Sequence, residues 1–298
     1  MNKRRFLLGL LGANIGGSLS PALFADAFAA AGIEGFYHLM DVDCLREKRL
    51  PELLDAIKAA GFAGANITYP FKQDIIALLD SVDPEAAQVG AVNTVAIDSG
   101  GRTTGHNFDR RGWRRSFEEN FGPGGARGST VVLIGAGGAG HAVAFALMDL
   151  GVALLVVHDR DRARADMLCA SLASLFGASR CRAAGDLARE IAAADGVVNA
   201  TQTGMRGFPG NPVPAGALKA SHWAADVIYT PTNTEFIEAA AARGARVMNG
   251  GGMCVHQAVE AFHLFTGIAP DAVRLRRAFD AAYDMREAAH RQAHAARD

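Results

Sequence analysis

The chain of 298 residues carries 30 Lys and Arg against 31 Asp and Glu, with half of its residues apolar and a fifth charged. That length suits two domains rather than one core, and a net charge near zero with no basic face offers nothing to a nucleic-acid backbone. No segment is long and apolar enough to cross a membrane. The four cysteines (Cys44, Cys169, Cys181, Cys254) lack C-x-x-C spacing, so they read as buried thiols in a reducing cytoplasm rather than a disulfide frame or zinc site.

The opening "MNKRRFLLGLLGA" has the basic start and apolar run of a signal peptide, but the run is short and leads into "NIGGSLSP" with no cleavage site. It reads instead as a buried first strand, Phe6 to Leu11. Pro21 to Ala31 is helical, with Ser20 as N-cap and Pro21 at the first helical position. "FYHLMDV" is a second strand, and Pro51 to Ala60 a helix closed by Gly61. "GANITY" is a third strand and "KQDIIALLD" a helix. "VNTVAID" and "GGRTTGHN" form a hairpin through Ser99-Gly100-Gly101.

After the glycine-rich connection "GPGGARG" the pattern changes. "TVVLIG" is a continuous apolar run, as expected of a parallel strand covered on both faces. A helix from Ala139 to Leu150 follows, then the strand "ALLVVHD", a helix from Ala163 to Phe176, and strands at "GVVNA", "AADVIY" and "ARVMN". This is the βαβ rhythm of a doubly wound sheet. From Met253 the chain is helical to a frayed end at 294–298.

Gly135-x-Gly137-x-x-Gly140 stands between a strand and a helix. In that context the first glycine allows the tight turn, the second lets backbone approach a pyrophosphate, and the third lets helix and strand pack closely. Residues Gly135, Ala136, Gly137, Gly138, Ala139 and Gly140 are therefore the expected diphosphate cradle at a helix N-terminus. Asp159, at the tip of the next strand, can accept from both ribose hydroxyls and repels a 2′-phosphate, which predicts NAD over NADP. The adjacent Arg160, Arg162 and Arg164 are the counter-signal, since one of them could pair with that phosphate.

A nicotinamide enzyme oxidising an alcohol needs a group to take the hydroxyl proton. His290 and His294 lie four apart but have no third ligand, so no metal is expected. His256 and His263 read as packing residues on one helix face. Lys72, one of five lysines in the chain, follows Pro70 and Phe71 just past the third strand.

Several separated motifs together resemble the shikimate and quinate/shikimate dehydrogenase family over nearly the full length. They are "GGSLSP", "GANITYPFKQ", "GAVNTV", "GHNFD", "GAGGAG", "NAT" at 199–201, "DVIYTP" at 226–231 and "GGGMCVHQA". The resemblance implies that Ser18 and Ser20, with Thr68 and Tyr229, hold a ring carboxylate through hydroxyls, without a permanent cationic clamp. It implies that Lys72 and Asp109 flank the reacting hydroxyl, with Lys72 or an Asp109-led relay moving the proton. Asn93, Asn107 and Gln257 would bond the ring hydroxyls. Thr201, the following "QTGM", Gly252 and Met253 would lie toward the nicotinamide.

Three positions depart from the family pattern. Phe108 replaces a usual threonine and could crowd the substrate or pack behind it. Arg110 replaces a small residue and could pair with Asp109 or bind a further anionic group. Asn249 replaces a usual aspartate. The expected fold is α/β with two domains: a substrate domain at 1–112, a Rossmann-like dinucleotide domain at 113–249, and helices at 250–298 returning to the first. The expected activity is NAD-dependent oxidation of a ring hydroxyl of quinate or shikimate, with NADP-dependent reduction of 3-dehydroshikimate and a non-catalytic metabolite sensor as alternatives. Monomer and homodimer are both compatible with the sequence.

Overall fold

The computed structural model describes residues 5–46 and 49–295, with side chains to 292. The chain divides into two compact units. One comprises the described residues up to Gln88, Val92–Phe108 and those from Val255 onward; the other is Val89–Ala91 with Asp109–Cys254. The division falls at Asp109, where a helix starts, rather than after residue 112. The return of the terminal helices to the first unit matches the expectation from sequence.

The first unit holds a mixed sheet of β1 (Arg5–Gly12), β2 (Glu34–Asp41), β3 (Gly64–Ile67), β4 (Ser81–Val82), β5 (Thr94–Ile97) and β6 (Thr103–His106). Its order is β2-β1-β3-β5-β6-β4. The first three strands run parallel, and β5 and β6 form the expected antiparallel hairpin. The helices of this unit are α1 (Ser20–Ala31), α2 (Leu50–Ala59) and α3 (Pro84–Val89), and both α3 and β4 were missed by the sequence reading. "KQDIIALLD" yields only a 3-10 turn, Asp74–Leu78.

The second unit begins with α4 (Asp109–Phe121), then β7 (Thr130–Ile134), α5 (Gly138–Asp149), β8 (Leu154–His158) and α6 (Arg162–Phe176). It continues through β9 (Cys181–Ala183), α7 (Leu187–Ala193), β10 (Gly196–Asn199), β11 (Trp223–Asp226), α8 (Glu235–Ala242) and β12 (Arg246–Met248). The order β12-β11-β10-β7-β8-β9 is wholly parallel and doubly wound. Alternate residues of β7 enter opposite cores, Val131 and Leu133 on one face and Val132 and Ile134 on the other. Each such fully buried aliphatic side chain contributes about 1.5–3 kcal/mol, which is why the apolar run is unbroken. The strand order reverses between β7 and β10, so their C-terminal ends form the switch point where ligands bind in such sheets.

Helix α9 (Gly251–Thr266) carries the chain back to the first unit, and α10 (Ala272–Ala295) packs on α1. Arg274 there makes a bidentate pair with Asp26 of α1, at 2.7 and 2.9 Å. Residues 294 and 295 still continue α10, and the rest of the expected frayed end lies outside the described residues, as does the side chain of His294. Two burial expectations are corrected. Cys44 is exposed, because it ends a surface 3-10 turn, while the other three thiols are buried. His256 is buried but His263, in the last turn of α9, is exposed.

Candidate active site

The loop from β1 to α1 carries Ser18 and Ser20. Gly12 ends β1 against the next loop: a Cβ there would lie 2.3 Å from Thr68 Cγ2 and 2.8 Å from the Tyr69 carbonyl. Glycine alone allows this approach, and it brings the serine turn and Thr68 side by side. The turn is tied down by carboxylates. Asp43 accepts the Asn14 N–H and Asp41 the Ile15 N–H, at 2.9 and 3.1 Å. On the other side, Arg286 of α10 donates through Nη1 to the Gly17 carbonyl.

The N-cap expected of Ser20 is not what forms. The helix starts one residue earlier, at Ser20 itself, with Leu19 at the cap position and no side-chain cap bond. Ser18 does the local work instead: its Oγ accepts the Ser20 N–H and donates to Ser20 Oγ, both at 3.2 Å. A hydroxyl bonding two residues onward is a common turn-forming pattern, and here it couples the two serines into one pair.

Asn93 is fully buried and its orientation is fixed by obligate donors. The Phe108 N–H donates to Oδ1 at 2.9 Å, so Nδ2 points the other way and donates to Gln257 Oε1 at 3.1 Å. A one-directional series leads into it. Tyr37 O–H donates to Asn66 Oδ1, Asn66 Nδ2 to Thr94 Oγ1, and Thr94 Oγ1 to Asn93 Oδ1, all at 2.8–2.9 Å. Asn66 is fixed in turn because its Nδ2 also reaches the Asn93 carbonyl, at 3.4 Å. Asn107 is buried at the end of β6. Phe108 is buried and stacks on His106, with ring centroids 5.9 Å apart and 13° between planes. Lys72 is half-buried, and its carbonyl accepts the Val92 N–H at 2.7 Å, which sets the turn after Pro70 against the start of β5.

In the second unit the three glycines of the glycine-rich turn differ in what surrounds them. Gly135 has φ +105°, and a Cβ on it would meet the Ala200 carbonyl at 2.8 Å and Thr201 Cγ2 at 2.9 Å. A Cβ on Gly140 would strike the Gly135 carbonyl at 2.0 Å. Gly137 differs from both: nothing of the protein lies within 4 Å of the Cβ it lacks. It precedes α5, whose N-terminus has no side-chain cap. Open backbone at an uncapped helix start is what a diphosphate requires, so these residues fit a dinucleotide.

Asp159 at the end of β8 accepts the Ala136 N–H through Oδ2 at 2.8 Å and the Asp161 N–H through Oδ1 at 2.9 Å. Arg162 turns away to Asp166 and the Ala184 carbonyl, whereas Arg160 and Arg164 are exposed. Arg110 is held bidentately by Asp149, at 2.6 and 2.7 Å, and lies over the Phe145 ring. Asp109, buried, is the first residue of α4. It and Tyr229 therefore belong to the second unit, while Lys72, Ser18 and Ser20 belong to the first.

Sequence reasoning missed the support under Thr201. Its N–H and Oγ1 both donate to Asn199 Oδ1, at 3.0 and 2.7 Å. Asn199 Nδ2 donates to Asp226 Oδ1, and Asp226 also takes the Ile228 N–H and the Thr234 hydroxyl. One buried carboxylate thus fixes the loops after β10 and β11. Burial pushes its pKa up to about 6, against the hydrogen bonds that pull it down. The only sequence signal was the polar "N" and "D" ending two apolar strands. A Cβ on Gly252 would lie 2.2 Å from Ser116 Oγ, Met253 is buried in the core of the second unit, and Asn249 Oδ1 accepts the Gly251 N–H at 3.0 Å.

Two family profiles match the chain: one described as the shikimate dehydrogenase substrate binding domain over residues 10–95, the other as shikimate / quinate 5-dehydrogenase over 118–206. A quinate/shikimate dehydrogenase (NAD(+)) of Corynebacterium efficiens is 45% identical over 283 residues, 94% of this chain and 99% of that protein. A shikimate dehydrogenase (NADP(+)) of Streptomyces avermitilis is 44% identical over 279 residues, 92% of this chain and 95% of that one. Among solved structures, the quinate dehydrogenase of Corynebacterium glutamicum in complex with NAD superposes with a TM-score of 0.85 at 42% identity, covering 93% of this chain and all of that one.

Proposed function

The chain belongs to the shikimate and quinate dehydrogenase family, and from that premise we propose that it oxidises a ring hydroxyl of quinate or shikimate to the 3-dehydro ketone with NAD. The observation that carries the reading is Asp159. Its carboxylate is pinned to the Ala136 N–H of the glycine-rich turn, and each oxygen keeps a lone pair for a ribose hydroxyl. A fixed negative charge there disfavours a 2′-phosphate. The relatives similar to this chain include proteins named for NAD and for NADP, so the acid decides between them.

NAD, when bound, supplies the hydride acceptor. The chain's own residues do the rest. Gly135–Gly140 and the start of α5 take the diphosphate. Ser18 and Ser20, coupled to each other, orient the ring carboxylate with Thr68. Asn93, Asn107 and Gln257 orient the ring hydroxyls, Gln257 with its amide already turned by Asn93. Lys72 takes the hydroxyl proton as the C–H hydride leaves, and Asp109 is the other residue assigned to that proton's relay. Thr201 and Tyr229 stand on loops fixed by Asp226. The enzyme works in the cytoplasm, a setting that its four free thiols suit.

A paired assay tests this: initial rates with NAD and NADP, on quinate and on shikimate. Faster turnover with NAD on either acid is expected. Turnover on shikimate with NADP alone would reassign the chain to the reductive, biosynthetic reaction. Ligand-induced stabilisation with no turnover would make it a sensor.

A further inference from the structure

Arg286 is the one guanidinium among the described residues with two buried nitrogens, Nε and Nη2, that have no hydrogen-bond partner. Its side chain is 14% exposed. Its remaining nitrogen, Nη1, donates to the Gly17 carbonyl, the peptide that leads into Ser18. The guanidinium lies over the Tyr283 ring at 5.2 Å, and Nε is 3.4 Å from Glu287 Oε1, in a geometry that makes an ion pair but no hydrogen bond. A buried cation with unmet donors is costly to keep. The carboxylates Asp41 and Asp43 grip the N–H groups of the same turn from its other side.

We propose that Arg286 is a positioning residue for substrate acids: it fixes the Gly17 peptide from behind and biases the Ser18–Ser20 pair toward an anionic ligand. This rests on the reading that the serine pair receives the ring carboxylate. The resemblance implied hydroxyl donors without a permanent cationic clamp, and Arg286 bonds not a hydroxyl but the Gly17 carbonyl. The charge stands one peptide further back. Fixing the carbonyl of residue 17 fixes the plane of the peptide whose N–H belongs to Ser18, so both hydroxyls start from one geometry. Two nitrogens, with three N–H groups between them, without a partner leave the guanidinium's charge poorly compensated, and Glu287 offsets only part of it.

The test is steady-state kinetics on Arg286→Gln and Arg286→Lys at saturating NAD, with quinate and shikimate and with their uncharged methyl esters. For Arg286→Gln the KM for the acids should rise about tenfold, with kcat within a factor of about three and the KM for NAD and for the esters unchanged. Arg286→Lys should recover most of the loss. An equal rise for acids and esters would show a merely structural role, and an unchanged acid KM would remove the role altogether. Should Arg286→Gln not fold, Glu287→Gln serves: freeing the guanidinium from its neighbour should lower the acid KM, and no change would overturn the proposal. Failure of the wild-type protein to oxidise either acid would sink the functional reading, and this proposal with it; wild-type turnover with unaltered variants would sink this proposal alone.

Discussion

The carboxylate of Asp159 and the backbone N–H of Ala136 meet at 2.8 Å across 23 residues of sequence, so the acid proposed to read the ribose also braces the glycine-rich turn. Replacing it with asparagine removes the charge but leaves a carbonyl oxygen able to keep the brace. Asp159→Asn should therefore lower kcat/KM for NAD by about tenfold or more and raise that for NADP, with Arg160 exposed beside it to take the phosphate. Thermal stability should barely change. An unaltered NAD to NADP ratio would show that the acid does not select the cofactor.

Gly137 and Gly140 look alike in sequence and differ in space. A methyl at Gly140 overlaps the Gly135 carbonyl at 2.0 Å, and one at Gly137 meets no protein atom. Gly140→Ala should cost about 1–3 kcal/mol or more, as overpacking does, and lower the melting temperature by several degrees. Gly137→Ala should leave melting almost untouched while raising the KM for NAD at least about tenfold. Comparable melting losses in both would refute the distinction.

Lys72→Ala tests the proton acceptor. General bases typically contribute about 10²- to 10⁴-fold, so kcat should fall by that order while the NAD affinity, measured by fluorescence quenching, stays constant. Turnover near the wild-type rate would exclude Lys72 from the chemistry.

Asp226 makes a prediction about acidity. Its folded value of about 6 lies above its ordinary 3.8, because burial disfavours the charged form. The folded state therefore binds that proton more tightly. The stabilisation this supplies is complete below about pH 4 and is lost as pH rises through about 6. Asp226→Asn does not titrate, so the melting temperature of the wild type relative to this variant should be highest near pH 4 and decline toward pH 7. Melting curves at four or five pH values decide it, and a difference that grows with pH would reverse the assignment.

The second unit was the more legible from sequence. Its strands are unbroken apolar runs because they are covered on both faces, and Gly135, Gly137 and Gly140 carry a spacing that geometry dictates. Among the elements that escaped, α4 is long, with Trp113, Phe117 and Phe121 on its buried face, but the others were short or weakly patterned. β9 has three residues and α7 seven, and α8 is an alanine-rich stretch with no sharp periodic stripe. In the first unit "KQDIIALLD" carries the right residues for a helix, yet Phe71 and Ile75 bury into the core and the chain makes only a 3-10 turn. Contacts set by long-range folding left no local trace at all. Arg286 reaches a loop 269 positions away, and Arg110, which sequence adjacency offered to Asp109, is taken by Asp149.

The hydrogen-bond series from Tyr37 to Gln257 has a polarity, and polarity limits vocabulary. Because Oε1 of Gln257 already accepts from Asn93, the amide has both of its hydrogens but only one lone pair of that oxygen left for a newcomer. It meets an oxygen with lone pairs more readily than a donor, and has nothing to offer a methyl group. A phenolic proton on β2, three hydrogen bonds upstream of Asn93, thus helps decide which end of the Gln257 amide is left for a further partner.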